Sequence, residues 1–215
     1  LEHLGADDAL PSVRAGLACA AIHSPGATMT KLSTLLLAGA ALALANGAQA
    51  QTDDAALRAR VEKVLSKTPV IDGHNDLPSE YRDRVKGRMD GIDLRTDTSK
   101  LSPPLMTDIA RIRKGHLGGQ FWSVFVPVEL KGADAVQQTM ETMDVTRRMV
   151  ARYPDQFEMA FSADDVVRIE KAGKTASLMG MEGGHSINNS PGVLREMYLA
   201  GARYMTLTHF ANTPW

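Results

Sequence analysis

The run Pro69-Val-Ile-Asp-Gly-His-Asn-Asp76 ends an apolar stretch in His74-x-Asp76. On an extended backbone, residues i and i+2 point to one side, so an imidazole and a carboxylate leave the end of a strand together. Both are ligands for a divalent metal, and the pair suits zinc. Two more clusters follow apolar runs, Met181-Glu-Gly-Gly-His185 and Leu207-Thr-His-Phe-Ala-Asn-Thr-Pro-Trp215. Glu182 has two oxygens with which to bridge two cations, and the glycines after it leave room for metal and water. Asp72, two residues before His74, either orients a ligand or supports the loop backbone. Cys19 is the single cysteine, which excludes a thiolate metal site and a cysteine nucleophile in the globular part.

The elements that must position these groups are visible as periodicity. Strand-like runs cover Val70-Ile71, Phe121–Val126, Thr175–Met181 and Tyr204–Thr208. Helical spacing covers Asp53–Ser66, Met106–Gly115 and Ala133–Tyr153, then a Ser162-capped helix to Ala172, then Gly192–Ala200. Arg82–Ser102 has no clean period and is expected to be a long polar excursion. Strands alternating with helices predict an α/β fold on a parallel sheet. The candidate ligands all fall just past strand C-termini, the face on which TIM-barrel active sites assemble. About four βα units are visible, against the eight that close such a barrel. The chain therefore reads as the N-terminal half of a TIM (β/α)8 barrel.

Four stretches resemble the membrane (renal) dipeptidase family of zinc peptidases. They are Val70-Ile-Asp-Gly-His-Asn-Asp-Leu-Pro78, Gly118-Gly-Gln-Phe-Trp-Ser-Val-Phe-Val-Pro127, Glu182-Gly-Gly-His-Ser186, and Gly201-Ala-Arg-Tyr-Met-Thr-Leu-Thr-His-Phe-Ala-Asn-Thr-Pro-Trp215. The likeness runs from about Val61 to Trp215 in the family's order. It implies that His74, Asp76 and Glu182 are metal ligands, with Glu182 bridging two zinc ions. It implies that His209 is catalytic and contacts substrate or its tetrahedral intermediate, stabilising the oxyanion. Tyr81, with Phe121 and Trp122, is expected at the substrate cleft, although core packing explains the latter two equally well. His185 is expected to support its turn, while His116 and His23 carry no catalytic role. The implied reaction is hydrolysis of a dipeptide by metal-activated water. Homodimerisation is a further implication. The family's second-zinc histidines, proton-transfer acid and substrate-binding arginines match nothing in these residues. The rival readings are a non-catalytic truncated product and a secreted binding protein that retains a partial metal site.

A length of 215 residues and 44% hydrophobic content allow one sizeable core. A net charge of −1 gives no reason to expect a nucleic-acid or acidic-lipid partner. Residues 1–28 have no persistent period and are expected to be an unstructured upstream extension. Residues 29–50 read as a signal peptide, with Lys31, an apolar run from Leu32 to Ala45, and the cleavage signal Ala48-Gln-Ala50. The apolar run is too short for a comfortable membrane span. Export to a periplasm or beyond is expected, with no stable membrane span after cleavage. Residues 51–215 then form the N-terminal part of the catalytic barrel.

Overall fold

The computed structural model describes residues 54–215, so the expected extension and signal peptide lie outside the described residues. Five parallel strands form one sheet: β1 (Val70–Asn75), β2 (Leu117–Phe125), β3 (Phe157–Met159), β4 (Thr175–Glu182) and β5 (Ala202–Met205). The helices are α1 (residues 54–65), α2 (Leu77–Val85), α3 (Ile109–Lys114), α4 (Gly132–Arg152), α5 (Ala163–Lys171) and α6 (Pro191–Leu199). β1 lies beside β2, and β2 lies beside β4 in unbroken register from Gly119↔Ala176 to Phe125↔Glu182. Across β4, the short β3 pairs with its first half and β5 with its second. The order β1, β2, β4, β5 is that of successive TIM-barrel strands, and all their C-terminal ends open on one rim.

Two elements depart from the expected pattern. β3 has three residues, too few for an alternation to show. α2 starts directly after Asp76 and takes the first residues of the expected polar excursion. Leu77, Tyr81 and Val85 recur every four residues and present one apolar ridge to the core. Pro78 fits the first turn, where its missing N–H costs nothing. Tyr81 is therefore not a cleft residue. It is fully buried, its hydroxyl donates to the Ile92 carbonyl at 2.9 Å, and burial pushes its phenol pKa far up.

The largest core cluster joins α2 and α4 to β2 through Trp122, Tyr81, Met149, Tyr153 and Phe157. A second gathers Val124, Met179 and Met181 under Met143 and Met197. Hydroxyl and carboxylate caps start the helices: Ser162 accepts from Asp165 N–H, Ser190 from Val193 N–H, and Asp108 from Arg111 N–H. Among the described residues, no helix is long and apolar enough to cross a membrane.

Asp108 anchors the loop that runs past the strand rim. Its carboxylate is buried, takes Arg111 Nε at 2.9 Å, and accepts from Thr98 N–H at 3.3 Å. Burial raises its pKa, but the Arg111 hydrogen bonds and charge outweigh that and hold it below the usual carboxylate value. A depressed folded pKa means the stabilisation is complete above the ordinary Asp value of about 3.9. It is lost as pH falls through the lower folded value. Asp108→Ala is expected to cost about 3 kcal/mol at neutral pH, combining a cap with a charge-assisted hydrogen bond. In urea titrations, the gap between the two proteins should close as pH falls below that window; a constant gap would sink the assignment.

Candidate metal centre

The first ligand pair owes its geometry to a break in β1. Asp72↔Gln120 is followed by Asn75↔Trp122, so β1 carries one extra residue there. Such a bulge re-aims side chains. Asp76 lies beyond the strand at the N-cap of α2, with φ −85° and ψ 10°. Strand alternation therefore does not bring His74 and Asp76 together; the bulge and the turn into α2 do. His74 Nε2 stands 3.3 Å from Asp76 Oδ1. Asn75 pins that turn, accepting from Leu77 N–H at 3.0 Å and donating to Thr107 Oγ1 at 2.9 Å. Asp72 supports backbone: its Oδ1 accepts from His74 N–H at 3.2 Å.

Glu182 ends β4 opposite Phe125. Its Oε2 accepts from the Ser123 hydroxyl at 2.8 Å and lies 3.2 Å from His74 Nε2. Its Oε1 lies 2.8 Å from His209 Nε2. The next residue has φ +102°, and a Cβ there would stand 2.6 Å from the His185 ring, so Gly183 is required. Gly183 N–H donates to Thr206 Oγ1 at 2.7 Å and ties the rims of β4 and β5. His185 Nε2 sits 3.1 Å from the Val126 carbonyl and braces its turn against the end of β2. His209 meets Phe210 and Phe125 edge-on, and its Nδ1 is buried without a partner.

Among the described residues, His74, Asp76 and Glu182 form the one cluster able to hold a metal, with donor atoms within 4.8 Å of one another. One imidazole nitrogen and two carboxylate oxygens make a donor set for a divalent ion. A hollow beside the cluster is lined by Leu77, Glu80, Leu105 and Met106. Trp122 is fully buried and Phe121 half-buried, so core packing accounts for Trp122. His116 pairs with Glu62 at 2.7 Å, away from the cluster.

Three contributors escape the motif reading. Ser123 and Thr206 are ordinary strand-end hydroxyls, and nothing marks them in sequence. Tyr204 reaches His74 Nδ1 at 3.2 Å and donates to the Gly73 carbonyl at 3.0 Å. Burial, then the Glu182, Asp76 and Asp72 carboxylates, raise the Tyr204 pKa. The one faint signal for it is Gly180, a glycine inside an apolar strand.

A family model described as membrane dipeptidase (peptidase family M19) matches residues 58–215. The chain belongs to the membrane dipeptidase family. Among its membrane dipeptidase relatives, the dipeptidase ataJ of Aspergillus terreus is 41% identical over 161 residues, covering 71% of this chain and 38% of the relative. Dipeptidase 3 of Mus musculus is 38% identical over 162 residues, covering 75% of this chain and 31% of the relative. The chain thus spans well under half the length of these dipeptidases. A probable dipeptidase, PvdM of Pseudomonas aeruginosa, has the same fold, with TM-score 0.55 and 19% identity over 73% of this chain and 38% of that one. So does a Rhodobacter sphaeroides metallopeptidase bound to a phosphinate mimic of the dipeptide L-Ala-D-Ala, with TM-score 0.54 and 19% identity over 64% and 44% of the two chains.

Proposed function

We propose that these residues are the N-terminal part of the catalytic barrel of an exported, zinc-dependent dipeptidase. The observation that carries this is the convergence of His74 Nε2 on Asp76 Oδ1 and Glu182 Oε2 at 3.3 and 3.2 Å. Ligands about 2.0–2.1 Å from a tetrahedral zinc stand about 3.3–3.4 Å apart, so the donor spacing fits the ion. Bound there, zinc supplies polarisation of the scissile carbonyl and an acidified water. Ser123 holds Oε2 of Glu182 toward His74, while Oε1 points away to His209 and is the oxygen available to a second zinc. His209 offers its imidazole to the oxyanion, and the hollow beside His74 and Asp76 takes the dipeptide. The other ligands of a two-zinc site belong to the barrel half that the longer relatives possess.

The test is zinc content and hydrolysis of a dipeptide panel by residues 51–215 and by the same start extended through the natural reading frame. Hydrolysis with about two zinc ions per chain, the number in two-metal sites, is expected only in the longer protein. No hydrolysis of any dipeptide by the zinc-loaded longer protein would overturn the substrate. Export is tested by N-terminal sequencing of protein recovered outside the cytoplasm: a start at Gln51 is expected, and a start near Leu1 refutes it.

A further inference from the structure

We infer that Tyr204 is a positioning residue for the metal centre, fixing His74 in the tautomer whose bare Nε2 faces Asp76 and Glu182. This rests on the reading of His74 as a ligand. The Tyr204 hydroxyl lies 3.0 Å from the Gly73 carbonyl and 3.2 Å from His74 Nδ1. A carbonyl can only accept, so the single phenolic hydrogen goes to Gly73. Toward His74 the hydroxyl then presents a lone pair, and Nδ1 must carry the ring hydrogen. Nε2 is left with its own lone pair, 3.2 Å from one carboxylate oxygen and 3.3 Å from another. That is the protonation pattern a ligating imidazole requires, and the partner of its second nitrogen governs ligand orientation and basicity.

The same hydroxyl holds both the ring of His74 and the carbonyl beside it at the β1 bulge. The backbone turn and the ring orientation are thus set by one atom on another strand. Its ring is held as well. A Cβ at Gly180 would fall within the Tyr204 ring, so glycine opens the slot through which the side chain crosses β4. Phe121 packs against the ring with centroids 5.2 Å apart. With its rotamer confined by packing, the hydroxyl has little freedom to leave His74.

Tyr204→Phe keeps the ring and removes only the hydroxyl. In zinc-stripped full-length protein labelled with ¹⁵N-histidine, His74 (assigned by its loss in His74→Asn) is expected in the Nδ1–H form, and as a tautomer mixture in Tyr204→Phe. Chelator competition should show zinc binding weakened about 10–100-fold in the variant, the usual effect of losing such a partner. Thermal melting of the stripped proteins should be nearly unchanged. An Nε2–H His74 in the unsubstituted protein, or zinc affinity unchanged by the substitution, would overturn the inference. Both readouts are independent of hydrolysis, so a protein that binds zinc in this way and cleaves no dipeptide refutes the substrate reading and leaves this one standing.

Discussion

Glu182→Gln is expected to weaken zinc binding in the full-length protein by more than about 100-fold and to remove hydrolysis. Loss of a partner outside the ligand shell costs roughly 10–100-fold, and Glu182 is proposed as a ligand itself. Both of its oxygens are engaged, Oε2 with Ser123 and His74 and Oε1 with His209. An amide puts a donor where one of those oxygens must accept, removes the negative charge, and cannot be shared by two cations. The fold should survive, because Glu182 ends its strand and supports no core contact. The metal-free variant should melt no lower than the parent, since neutralising Glu182 relieves its repulsion of Asp76. Ser123→Ala, which leaves the carboxylate in place but unheld, should lose only about 10–100-fold. Chelator competition with zinc, run beside hydrolysis, separates the two variants; equal affinity in parent and Glu182→Gln would remove Glu182 from the centre.

Trp122→Ala is expected to carry the largest stability penalty, about 3–5 kcal/mol. That is a large share of the roughly 5–15 kcal/mol that holds a domain together. The indole is fully buried, meets Phe157 edge-on at 5.8 Å, and joins β2 to the α2 ridge. Because α2 begins at Asp76, a cavity there also loosens the turn that aims the first ligand pair. Its Nε1 has no hydrogen-bond partner, so the site carries an unsatisfied donor. Trp122→Phe removes that donor along with some volume, and the two effects oppose each other. The expected ordering in denaturant midpoints is parent near Trp122→Phe, with Trp122→Ala far below. A Phe variant as unstable as the Ala variant would show that indole volume alone matters.

Much of the architecture was legible because periodicity is a local property. β2 and β4 are long apolar strands, and α4 and α5 carry amphipathic spacing with clear ends. Ser162 caps α5 as its hydroxyl before Asp164-Asp165 suggests. Local reading failed where the pattern was too short or interrupted. β3 exists because Phe157–Met159 lies against the first half of β4, and three residues cannot announce that. α2 was hidden by its charged outer face, and the same omission placed Tyr81 at the cleft although its ring belongs to the core.

His74, Asp76, Glu182 and His209 are identifiable by residue type and motif, since imidazoles and carboxylates after successive strand-like runs must gather on one rim of a parallel sheet. The sequence by itself thus determined the fold class, the donor chemistry and the rim on which it assembles. It did not determine how the donors are aimed. The extra residue in β1, the shared carboxylate of Glu182 and the reach of Tyr204 across Gly180 depend on strand register and packing. Tyr204 and His74 are 130 residues apart, and a hydrogen bond between such distant groups exists only once the sheet has set their positions. Spacing along a chain limits what can meet locally; tertiary structure alone decides which lone pair faces which proton.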